Sequence, residues 1–146
     1  MKINKLLTGL ILLSAIGLTT ISCLDDDGDN NKNYGLLPST NLNINHDSIQ
    51  PVGKPTNIKI TYKLKGNCQS FIEFRKLPGS TTTITEIGAY GYQNNSISCS
   101  ADEKFETKSI KITPITAGKN IVKVWAGVNS SGENIFVTDT INVPEK

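Results

Sequence analysis

Ile58, Ile60, Tyr62 and Leu64 alternate with Asn57, Lys59, Thr61 and Lys63. Apolar residues at period two lie on one side of an extended strand, with the polar residues on the other. A strand of this kind needs a sheet with one face in a core and one in water. Weaker period-two stretches are read at 42–49, 69–76, 82–89, 108–112, 121–128 and 135–143, with a faint one at 96–99. No window holds a 3.6-residue apolar stripe. Lys65-Gly66-Asn67 and Pro78-Gly79 are turn signals, while Pro51, Gly53 and Pro55 interrupt a ladder as at an edge or a crossing between sheets. Seven or eight short strands within residues 39–146 predict one all-β domain, an antiparallel sandwich or small barrel.

The amino terminus reads differently. Lys2 and Lys5 precede an uncharged, largely apolar stretch at 6–21, the pattern of a secretory signal. Those sixteen residues at about 1.5 Å each span roughly 24 Å, short of the roughly 30 Å hydrocarbon core. A permanent membrane anchor and an ordinary secreted chain are the alternatives. Cys23 follows Thr20, Ile21 and Ser22. This run resembles the lipobox of bacterial lipoproteins, departing from it at Thr20, where leucine is commonest. The resemblance implies that residues 1–22 are removed and that Cys23 becomes the acylated amino terminus, with the membrane as its partner. Two or three acyl chains anchor stably where one is marginal.

Residues 23–38 are read as a tether, because Asp25, Asp26, Asp27, Gly28 and Asp29 followed by Asn30 and Asn31 cannot bury apolar area. A calcium loop is refused by spacing: counted from Asp25, its glycine would fall at Asn30 and its closing glutamate at Leu36. Acid directly after the lipidated cysteine resembles the export signal of surface lipoproteins in Bacteroidetes-type bacteria. That resemblance implies an outer-membrane, lipid-anchored protein facing the cell exterior.

Ile115-Thr116-Ala117-Gly118-Lys119-Asn120, the strand after it and the turn Asn129-Ser130-Ser131-Gly132 resemble the last strands of bacterial immunoglobulin-like and fibronectin-like modules. The resemblance covers about a fifth of the chain and implies an immunoglobulin-like antiparallel β-sandwich of seven or eight strands. It implies display, spacing or binding, and it brings no catalytic residues. If lipid consumes Cys23, Cys68 and Cys99 remain as the candidate disulfide in an oxidising compartment, with two buried free thiols as the alternative.

Charge and motifs exclude more. The chain holds 15 basic and 13 acidic residues. Lys2 and Lys5 lie in the signal, which leaves 13 against 13, and Arg75 is the only arginine. Nucleic acid is therefore not an expected partner. There is one histidine, His46, and no Gly-x-Ser-x-Gly elbow, phosphate loop or His-x-x-x-His spacing, so no catalytic residue, metal or cofactor is assigned. Zinc would need Cys68 and Cys99 reduced beside His46. The acids Asp102, Glu103 and Glu106 share an expected loop at 100–107, where a glycosidase pair is weighed and set aside because nothing selects it.

The aromatic residues carry the sharper hypothesis. A four-residue hairpin loop at 129–132 pairs Val128 with Glu133, Trp125 with Phe136 and Lys123 with Thr138. On that register Val122, Val124, Ala126 and Val128 face the core with Ile135, Val137, Ile141 and Val143, while Trp125 and Phe136 look outward. An exposed flat pair stacks on a sugar ring or buries against a surface protein; Trp125 as the main core tryptophan is the alternative. Tyr90 and Tyr92 extend such a surface, although Gly88 and Gly91 read as loop. Asp47-Ser48-Ile49 and Asp139-Thr140-Ile141 resemble the O-glycosylation acceptor triplet of Bacteroidetes-type periplasms, which makes Ser48 and Thr140 candidate acceptors. The expected protein is a non-catalytic surface lipoprotein that binds or spaces. A glycan ligand is the leading case, an adhesin-like subunit the alternative, and a small hydrolase the remote one.

Overall fold

A computed structural model describes residues 31–146. The signal segment, Cys23 and the aspartate run lie outside the described residues. The chain forms β1 (Lys32–Leu37), β2 (Ser39–Ile44), a 3-10 turn (His46–Ser48), β3 (Thr56–Lys65), β4 (Gln69–Lys76), β5 (Ile84–Asn94), β6 (Glu103–Ile112), β7 (Gly118–Val128) and β8 (Asn134–Val143). They make an eight-stranded all-β sandwich. One sheet holds β4, β5, β7 and β8 with β1; the other holds β2, β3 and β6. Every pairing is antiparallel except β5 with β7, which run parallel from Ile84–Ile121 to Ile87–Val124. β1 and β7 lie end to end along one side of β5, because β1 pairs with the Ala89-to-Asn94 half and β7 with the Ile84-to-Ile87 half.

The alternation in β3 is realised in full. Ile58, Ile60, Tyr62 and Leu64 are buried between the sheets. Ile58 and Ile60 pack with Ile44, Ile87, Ile112, Val122, Val124, Ile141 and Val143. Tyr62 and Leu64 pack with Leu37 and Ala89, and with Phe71 and Phe74 at their margin. Each large aliphatic side chain buried here contributes about 1.5–3 kcal/mol.

Several sequence boundaries are corrected. The sandwich already includes Lys32–Leu37, inside the segment read as tether, because β1 zips antiparallel onto β5 and drives Leu37 into the core opposite Ala89. Pro38 then carries the chain to the other sheet, and its carbonyl accepts from the Lys63 amide at 2.9 Å. β2 ends at Ile44 rather than running to Ile49, because the Asn45 side chain accepts from the Asp47 amide and caps the 3-10 turn. No strand forms at 96–99. β6 starts at Glu103, within the expected loop. Its inward positions Lys104, Glu106 and Lys108 lie opposite Leu64, Tyr62 and Ile60. Inward charges suit an edge strand, and they erase the apolar alternation that would have announced it.

β5 runs past the stretch expected at 82–89 to Asn94 and so takes in Gly91, which the sequence reading left as loop. Gly91 is required by close approach: a β-carbon there would collide with the Ser70 carbonyl oxygen and lie 2.7 Å from Leu37 Cδ1. A backbone oxygen inside a ladder cannot step aside. Gly91→Ala is therefore expected to cost about 1–3 kcal/mol, the usual range for overpacking. Urea unfolding midpoints measure it, and an unchanged midpoint would refute the assignment.

Candidate ligand-binding face

In the larger sheet the inward residues of β5 and β7 are Ile87, Ala89, Gly91, Val122 and Val124. Their neighbours face out. The ladders then place Tyr34 beside Tyr92, Leu36 beside Tyr90, Glu73 beside Tyr90, Glu86 beside Lys123 and Trp125 beside Phe136. Residues from five strands share one open face because the bulge at Ile72 in β4 restores the parity of Glu73 and Arg75 after Phe71 turns inward.

The Trp125–Phe136 and Lys123–Thr138 pairs match the sequence register. Nearer the turn the register shifts. A bulge at Ala126, with Gly127 at φ 131°, pairs Val128 with Asn134 instead of Glu133. The hairpin tip thereby leaves the core, so Val128 (58% exposed) and Ile135 (44%) are not core residues as expected. Trp125 and Phe136 do point outward, but each is half-buried. The indole N–H of Trp125 donates to Asn134 Oδ1 at 2.8 Å. Lys123 Nζ bonds Glu86 Oε1 at 3.1 Å and stands 5.4 Å from the Phe136 ring centroid.

At the other end, Tyr90 and Tyr92 are half-buried beside Tyr34, which is 55% exposed. Tyr34 and Tyr90 stack with centroids 6.4 Å apart, and Tyr34 tilts against Tyr92 at 5.9 Å. The Arg75 guanidinium carbon lies 3.3 Å from the Tyr90 centroid, and its Nε donates to Glu73 Oε1 at 2.7 Å. That hydrogen bond orients the always-charged guanidinium over the ring. Lys32 Nζ lies 5.0 Å from the Tyr92 centroid. Sequence reasoning missed Tyr34 and Arg75. Tyr34 sits in a polar, glycine-containing stretch without alternation, and only β5 makes it a strand.

The remaining candidate residues are dispersed. Cys68 and Cys99 form a disulfide with Cα atoms 5.0 Å apart. Ser48 is exposed in the 3-10 turn, its hydroxyl donating to the Asn45 carbonyl at 2.9 Å, and Thr140 is exposed on β8. A 3.0 Å contact between His46 Nε2 and Asp139 Oδ2 brings the two Asp-Ser/Thr-Ile triplets close together. Glu103 pairs with Lys63 at 2.8 Å, whereas Glu106 accepts from the Tyr62 hydroxyl at 2.7 Å on the opposite face of β6. These two acids therefore do not converge on one site. Among the described residues no three His, Cys, Asp or Glu side chains gather as metal ligands, and no helix is long and apolar enough to cross a membrane.

The fold defines the class, an eight-stranded β-sandwich with an aromatic outer face. Comparisons with protein-family models, curated proteins and solved structures found no match to this chain.

Proposed function

We propose that this protein is a non-catalytic binding module, anchored by lipid at Cys23 to the outer membrane and facing the cell exterior, that holds carbohydrate on the outer face of its larger sheet. One observation carries the binding part of this reading. Tyr34, Tyr90, Tyr92, Trp125 and Phe136, drawn from four strands, share one open sheet face with charged side chains between them. Apolar ring faces suit the C–H faces of a sugar, and the interleaved polar groups suit its hydroxyls. The lipobox-like run ending in Cys23 and the acidic residues after it support the anchor.

Glycan-array binding of the acylation-free chain tests the reading. Trp125→Ala is expected to weaken glycan binding by roughly tenfold, the order of one aromatic stacking contact, with an unchanged unfolding midpoint as the control. A chain that binds no glycan at all would overturn it. A specific observation favours a second reading, an adhesin-like subunit: Val128 and Ile135 are both exposed apolar side chains near the hairpin tip, on opposite faces of the hairpin. That reading predicts co-purification of a surface partner that Val128→Asp abolishes.

A further inference from the structure

We infer that the ligand of this face is a neutral, linear glycan several sugar units long, and that Tyr34 is one of its contact residues. The inference rests on the carbohydrate reading of the same face. The aromatic residues fall into two groups, Trp125 with Phe136 on β7 and β8, and Tyr34 with Tyr92 on β1 and β5. β1 and β7 lie end to end along β5, with Val124 level with Ile87 and Tyr34 level with Tyr92. Trp125, one residue past Val124 on a strand parallel to β5, lies level with Gly88, four residues of β5 from Tyr92, which at about 3.3 Å per residue is roughly 13 Å. One sugar ring cannot touch both groups, whereas a chain running along the strand direction can.

The ground between the groups is low and apolar. Leu36 lies over Gly88, where a β-carbon would come within 2.6 Å of Leu36 Cδ2. Charged pairs flank this floor, Arg75 with Glu73 on one side and Lys123 with Glu86 on the other. Each of those two cations already has its carboxylate, so a uronate or sulfate chain gains no advantage over this floor, which favours hydroxyl-bearing neutral sugars. Tyr90 is a positioning residue. Arg75 covers one side of its ring and Tyr34 stacks at the other approach, so the ring left to a ligand at this end is the exposed one, Tyr34.

The test is calorimetric titration of the whole processed chain with neutral β-glucan, mannan and xylan, with pectin and alginate as acidic counterparts. It continues with the single sugar and successively longer oligosaccharides of whichever polymer binds. Affinity is expected to climb with length until the chain spans both groups. Tyr34→Ala should then cost about tenfold on the longest oligosaccharide and little on the shortest, while Tyr34→Phe keeps the affinity. Length-independent binding, a silent Tyr34→Ala or tighter binding of the acidic polymers would overturn the inference and leave the carbohydrate reading standing. Absence of binding to every polymer would remove both. Sedimentation at rising protein concentration closes the remaining case: self-association abolished by Tyr34→Ala would make this face a contact between two copies and overturn the inference as well.

Discussion

Replacing Cys68 and Cys99 together with alanine should lower the unfolding free energy by about 3 to 4 kcal/mol, the chain-entropy value for a closed loop of this length. The residues are 31 apart in sequence, so the bond removes many conformations from the unfolded chain. Its native-state role is local. Cys68 is buried at the turn between β3 and β4, while Cys99 lies in the strandless stretch that leads into β6. Around the bond, Asn67 Oδ1 accepts from the Ser100 amide at 3.1 Å, and Gly66 at φ 57° packs against Ser100 too closely for any β-carbon. Without the bond, this segment keeps only such single contacts. Urea titration should show a lower midpoint for the double variant, and reductant should bring the wild type to the same value. Equal midpoints with and without reductant would refute the prediction.

The second large effect lies at Tyr62, the largest fully buried side chain among the described residues. Its ring stacks on Phe71 with centroids 4.7 Å apart and meets Phe74 edge-on at 6.1 Å. Tyr62→Ala should therefore cost about 3–5 kcal/mol, as other large-to-small aromatic truncations do. Tyr62→Phe keeps the packing and removes only the hydroxyl that donates to Glu106 at 2.7 Å. The two variants separate by pH. Burial, then the hydrogen bond to the Glu106 carboxylate, pushes the Tyr62 pKa well above its ordinary value. The unfolded chain thus loses this proton first. Stability from the neutral phenol is complete below the ordinary tyrosine value of about 10, and it is lost as pH climbs above that value toward the raised folded one. Wild-type protein should lose stability across that alkaline window more steeply than Tyr62→Phe. Parallel slopes for the two proteins would show that the phenol does not titrate with unfolding.

Both sites were visible in the sequence to different degrees. Tyr62 announced itself as core, because it shares parity with Ile58, Ile60 and Leu64 in a strand with one wet face. Its hydroxyl partner did not, since Glu106 was read in a loop. Cys68 and Cys99 were nominated by counting, but counting does not establish proximity; the strands on either side of each cysteine had to be assembled first. In the candidate face, the expected pairing of Trp125 with Phe136 is met because two shifts cancel: the turn pairs Val128 with Asn134 instead of Glu133, and the bulge at Ala126 takes up that offset. Neither shift is legible in the sequence, and with them went the expected burial of Val128 and Ile135.

Sequence alone determined the fold class and the core parity of β3, and it nominated the pairing of Trp125 with Phe136, since period and turn chemistry act over neighbouring residues. The tertiary structure alone decided that Tyr34 belongs to a strand, that Gly91 lies within a ladder, that Trp125 and Phe136 face outward, and that β1 and β7 meet end to end on β5. Those outcomes depend on hydrogen bonds between segments far apart in the chain. A polar strand such as β1 has no apolar rhythm of its own, and the exposed edge of β5 supplies the order that its side chains do not encode.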